Sequence, residues 1–98
     1  MNKDLDEKFF ERADVHISVS NEQLKDITPG KVSASMMYAT SRFNAWWTAC
    51  GFSSASDMAA RRDENIDYFM QEYRLMLEEN MDDYIKNFDK YIAEGNNS

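Results

Sequence analysis

The densest group of chemically competent side chains in this 98-residue chain is Glu78-Glu79-Asn80-Met81-Asp82-Asp83. Its carboxylates could hold a divalent cation or attract a basic partner. The Asp-x-Asp-x-Asp-Gly spacing of a calcium loop is absent, however, and carboxylates on one helix rarely complete an oxygen cage. Glu78 with Asp82, and Glu79 with Asp83, are like charges at i, i+4 and repel mildly. A solvated face or a helix end accounts for the run. His16 is the single histidine and falls on the apolar face of a helical pattern, with no recognisable partner for acid–base work. Cys50 is the single cysteine, so neither an intramolecular disulfide nor a thiol metal cluster can form, and it reads as a small buried hydrophobe. Tyr38, Phe43, Trp46 and Trp47 could line a ligand pocket, but aromatics at helical spacing far more often belong to a core. Arg42 is the one charge in the stretch 32–52 and predicts a carboxylate partner on the first or third helix, or a path to water. No nucleophile–base pair, metal set or glycine-rich phosphate loop is visible. No catalytic, cofactor-binding or metal residue is therefore assigned, and no cofactor is implied.

These residues need helices to position them. Three glycines and one proline leave little punctuation, which favours few, long elements. Asp4, with Glu7 three residues on, resembles a capping box, and Leu5, Phe9, Ala13, His16, Ile17 and Leu24 trace one face of a helix over about 4–24. Thr28-Pro29 suits the N-cap and first turn of a second helix over about 29–50. On it Val32, Met36, Ala39, Phe43, Trp46, Trp47 and Cys50 share a face, while Ser41, Ala45 and Ala49 form a small-residue face. Gly51 suits a left-handed residue closing that helix, with Phe52 folding back on Trp47. So little charge surrounds this helix that it should lie centrally, with the other two packed on it.

A third helix over about 54–93 begins near Ser53–Ser56. Its apolar residues fall at Ile66, Met70, Tyr73, Leu77, Met81, Tyr84, Phe88 and Ile92, closer to an eleven-residue repeat than to a heptad. A heptad begun at Ile66 would place Asn80 and Asn87 at core positions, so a regular zipper is not expected. Asn80, like Arg42, is read as a structural polar position. Unbroken from Ser56 to Ile92, the helix would measure roughly 55 Å, beyond the ~35 Å diameter implied for a compact domain of this size. It should break around Glu79–Asp82 or lie against a second molecule. Tyr68 and Leu75 fall opposite its main apolar face and hint at such a contact, with Glu79 and Asp82 beside them.

Composition narrows the function. With 43% hydrophobic and 13% aromatic residues the chain should fold, as a single helical domain spanning 1–98. Residues 1–62 are charge-balanced, so the whole net charge of −7 falls in 63–98. That sign disfavours nucleic acid and anionic membrane. The acidic start lacks the apolar stretch of a secretory leader, and Arg42, Asn44 and the serines would be costly in lipid, which makes a cytoplasmic location the expectation.

The blocks Val32–Ser35, Ser41–Ala45, Asp67–Phe69, Tyr73–Ile85 and Asn87–Tyr91 resemble a small bacterial family of unknown function, with the similarity running from about Phe9 to Tyr91. The resemblance implies a small bacterial protein and brings no activity or site residue with it.

The expectation is an all-α fold, a three-helix antiparallel bundle with a central apolar helix and a long C-terminal helix. Its core would include Phe9, Ala13, Ile17, Met36, Ala39, Phe43, Trp47, Ile66, Met70, Tyr73 and Leu77. The first functional reading is a non-enzymatic interaction or oligomerisation module using the acidic C-terminal helix, as a homodimer or on a basic protein. The alternative is a small-ligand binder using the aromatic centre, and an enzyme ranks third.

Overall fold

The computed structural model describes residues 6–93. The fold is all-α: α1 spans Phe9–Gln23, α2 Pro29–Ala49, α3 Ala55–Ala60 and α4 Arg62–Lys86, with a π-helical turn over Asp89–Ala93. No strand occurs among the described residues. The chain divides into two compact units, residues 1–58 and 59–98.

In the first unit, α1 starts later than the capping-box reading places it. Asp4 lies outside the described residues, and Asp6 to Lys8 form a turn rather than a helix. Asp6 supplies the anchor instead. Its backbone carbonyl accepts from Phe9 N–H at 3.0 Å, and its carboxylate accepts from Lys8 N–H at 3.3 Å. The same carboxylate takes both Arg12 amino groups, at 3.1 and 3.4 Å. From its place just before the helix, the one carboxylate reaches both the Lys8 N–H and the Arg12 guanidinium.

Helix α2 follows its sequence signature. Thr28 is extended (φ −75°, ψ 154°) and Pro29 occupies the first turn, where its missing N–H costs nothing. Within the helix, the hydroxyls of Ser41 and Thr48 donate back to the carbonyls of Tyr38 and Asn44, both at 2.8 Å, so these polar groups are satisfied without a partner helix. The end differs from expectation: Gly51 has no positive φ. The chain leaves α2 through tight i→i+3 bonds, Gly51 N–H to Thr48 and Phe52 N–H to Ala49, at 3.0 and 3.1 Å. These satisfy the last carbonyls, so a left-handed cap is not needed.

Helix α1 packs on α2. Val32, 5% exposed, is the one buried residue among those described. Phe9, Ala13 and Ser20 on one face of α1, and Asn44 and Thr48 on α2, are half-buried. The larger core candidates are not. Ile17, Met36, Ala39, Phe43 and Trp47 are exposed, as is Cys50, which was expected to be buried. A pair of helices can bury only the stripe each turns to the other. The broad aromatic face of α2 points elsewhere.

The expected 54–93 helix is three pieces. Ser54 caps α3, its Oγ accepting from Asp57 N–H at 3.1 Å, and Asp57 lies in the first turn. The helix is interrupted at Arg61 (φ −111°, ψ 13°) and again at Asn87 (φ −113°, ψ 30°). It continues unbroken through Glu79–Asp82, where the break was expected. Each interruption is held by side chains. Arg61 grips Glu64 with two bonds of 2.8 Å, and Asn87 donates to both the carbonyl and the carboxylate of Asp83. Mild repulsion between Glu78–Asp83 carboxylates is smaller than the gain of an intact hydrogen-bonded ladder, so the acidic run stays helical.

Candidate interaction surface

The second unit contains one long helix, and one helix alone cannot bury its own apolar stripe. Ile66, Met70, Tyr73, Leu77, Met81 and Tyr84 follow each other at steps of 4, 3, 4, 4 and 3, which aligns them on one face of α4. All six are exposed, between 39% and 60%. From Ile66 to Tyr84 the row is about 27 Å long. The least exposed residues of α4 are instead Asn65, Phe69, Glu72 and Met76, on an adjacent face. Ile66, Met70, Tyr73 and Leu77 are thus corrected from core to surface.

The residues singled out as an interaction site lie on the opposite side of the helix from this row. Tyr68 (37% exposed) and Leu75 (48%) are open, as are Glu79 and Asp82. Tyr68 meets Phe69 edge-on, ring centres 5.2 Å apart. The contrast drawn from sequence, a covered main stripe and an open Tyr68–Leu75 side, does not hold, because both sides face solvent. Asn80 donates to the Met76 carbonyl at 2.9 Å, within its own helix. Arg42 is exposed and forms no ion pair among the described residues. Its guanidinium snorkels to water, which removes the need for a buried carboxylate.

At the C-terminal end of α4 a polar cluster fixes the π-helical turn. Tyr91 donates its hydroxyl to the second Asp83 oxygen at 2.9 Å and stacks on Tyr84 at 4.3 Å between ring centres. Hydrogen bonding to the Asp83 carboxylate holds the Tyr91 hydroxyl above the ordinary tyrosine range, because ionising it would place two negative oxygens together. This cluster, centred on Asp83, is the part of the site that sequence reading missed. The Asp83, Asn87, Tyr91 spacing at steps of four was its available trace. Chemically the surface offers apolar area and negative charge rather than a reaction centre. No set of three His, Cys, Asp or Glu side chains among the described residues is arranged to hold a metal ion. One open surface depression is lined by Ile85–Lys90 and another by Asp67, Met70, Gln71 and Arg74, and neither includes Trp46 or Trp47. No described helix is long and apolar enough to cross a membrane.

The family model described as "Protein of unknown function (DUF3144)" matches residues 9–85, which takes in α1 to α4 almost entirely. The chain belongs to the DUF3144 family. A solved relative of this DUF3144 protein is the NMR structure of a protein from Shewanella sp., 41% identical over 92% of this chain and 96% of that one, with a TM-score of 0.77. The all-α fold is therefore shared with a bacterial protein of nearly the same length. No curated protein matches this chain.

Proposed function

We propose that this DUF3144 protein is a non-enzymatic interaction module whose apolar α4 face associates with a second copy of the chain. The observation that carries the reading is the row from Ile66 to Tyr84, six large apolar side chains on one helical face, all exposed. Contiguous apolar surface of this extent is uncommon on a chain that works alone, whereas isolated exposed residues are ordinary. Fully burying one such side chain contributes about 1.5–3 kcal/mol, and each is roughly half-way there already. Six residues in each of two copies therefore supply on the order of 10 kcal/mol. That is enough to offset the ~4–15 kcal/mol cost of association only when the whole row is used.

A closed two-fold pairing covers such a face without leaving another open. The net charge of −7 supports a basic protein as the alternative occupant. Light scattering on the eluted protein over a concentration series tests the reading. A dimer mass at tens of micromolar, reduced to the monomer mass by Tyr73→Glu with Leu77→Glu, is expected. A monomer mass for the unaltered chain at every concentration would refute it. A dimer that survives both substitutions would refute the assignment to this face and return attention to Tyr68 and Leu75.

A further inference from the structure

The self-association reading leaves open which surface of the second copy covers the α4 row, and charge placement answers this. Helix α4 carries eight acids against Arg62, Arg74 and Lys86, so two copies of α4 laid together would repel. Helix α2 carries Lys31 and Arg42 and no acid. These two bases are exposed and form no ion pair among the described residues, whereas Arg12, Lys25, Arg61, Arg62 and Arg74 each hold a carboxylate. The aromatic face beside them is as open as the α4 row: Phe43 is 63% exposed, Trp46 60% and Trp47 54%. Both elements thus present an exposed apolar row flanked by charge of opposite sign.

The patterns also match in spacing and hand. Lys31 and Arg42 are eleven residues apart, as are Asp67 and Glu78, which puts each pair about 16.5 Å apart on nearly one line along its helix. Asp67 has no ion pair among the described residues, while Glu78 already holds Arg74 at 2.9 Å. Viewed from the N-terminus, Lys31 and Arg42 lie roughly 100° anticlockwise of the Met36–Phe43 row, and Asp67 and Glu78 roughly 100° clockwise of the Ile66–Leu77 row. Flanks of opposite hand adjoin when two facing helices run parallel. We infer that α4 of one copy lies parallel against α2 of the other, Lys31 beside Asp67 and Arg42 beside Glu78, reciprocally in a two-fold dimer. In that register Phe43 meets Leu77 and Met81, and the Trp46–Trp47 end meets Tyr84. The inference rests on the α4 row being a self-association surface.

The test separates the two claims. Sedimentation over a concentration series gives the dissociation constant of the unaltered chain, of Lys31→Glu, and of Lys31→Glu with Asp67→Lys. The first substitution puts an acid into the first turn of α2, which has none, so it favours that helix and any weakening is not a folding defect. Lost attraction and new repulsion at two symmetric contacts should raise the dissociation constant about fivefold to tenfold, and the double variant should return to within about twofold of the unaltered chain. Zero-length carbodiimide coupling of an equal mixture of nitrogen-14 and nitrogen-15 protein should join Lys31 of one isotope to Asp67 of the other. An unchanged dissociation constant for Lys31→Glu, a defect that Asp67→Lys does not relieve, or a dimer lacking the mixed-isotope link would overturn the α2–α4 pairing. The dimer itself would then stand. A monomer mass throughout would overturn both.

Discussion

Trimming Phe43 to alanine separates a surface aromatic from a core one. Buried in a core, Phe43 would be worth about 3–5 kcal/mol on truncation, most of the stability of a domain this size. In this structure its side chain is 63% exposed and its neighbour is Trp46, ring centres 5.4 Å apart at 48°. About a third of a burial worth ~1.5–3 kcal/mol is then at stake, or about 0.5–1 kcal/mol. The tilted ring pair adds about 0.5–1 kcal/mol, for a loss of about 1–2 kcal/mol in the isolated chain. If Phe43 also meets Leu77 and Met81 of a second copy, the loss grows as dimer forms, because anything bound only to the native state adds to its stability. Urea unfolding followed by circular dichroism should therefore show a small midpoint change at sub-micromolar protein and a larger one at tens of micromolar. A loss of 3–5 kcal/mol that does not depend on concentration would show that Phe43 belongs to a core and would refute the exposed α2 face.

Gly30 occupies the first turn of α2 without a positive φ, and a Cβ there would meet nothing within 4 Å. Gly30→Ala should stabilise by about 0.5–1 kcal/mol, a rise of a few degrees in melting temperature at fixed protein concentration; a fall would show a hidden contact at that position. Hydrogen bonding to Arg12 holds the Asp6 carboxyl below the ordinary aspartate range, and Arg61 does the same for Glu64. A depressed folded value means that these contacts stabilise at neutral pH and that the stabilisation is lost as pH falls from the ordinary carboxylate range through the folded value. NMR titration should find the Asp6 midpoint lowered in the native chain and normal after Arg12→Ala; equal midpoints would refute the contact in solution. Millimolar calcium, magnesium or zinc should leave the melting temperature almost unchanged, since no described carboxylate set converges on a point; a rise of many degrees with one ion would reveal a site.

Local signals were read more reliably than burial was. The Thr28-Pro29 start placed the N-terminus of α2 because it acts within one turn, and hydrophobic spacing identified every long helix for the same reason. The start of α1 lies later than the Asp4-Glu7 pattern places it, because Asp6 to Lys8 form a turn held by the Asp6–Arg12 contact, and no local spacing rule announces that contact. The Gly51 cap failed similarly, since a glycine permits a left-handed residue without requiring one. The length of the C-terminal helix predicts a break around Glu79–Asp82 or a second molecule beside it. The interruptions lie at Arg61 and Asn87, where side-chain bonds, Arg61 to Glu64 and Asn87 to Asp83, hold the backbone outside helical geometry.

Which stripe of a helix is covered is a different kind of question, because periodicity reports only that a face is apolar. Val32 is the one residue buried among those described, and nothing in its spacing sets it apart from its apolar neighbours. Phe43, Trp46, Trp47 and the Ile66–Tyr84 row carry the strong pattern and remain open. Selecting such residues for solubility alone would make little sense, since each exposed one adds aggregation risk and none adds internal packing. A partner that covers them accounts for the strong pattern and the missing burial together. The shared eleven-residue spacing of Lys31 with Arg42 and of Asp67 with Glu78 then acquires a physical role, fixing which row meets which and in what direction.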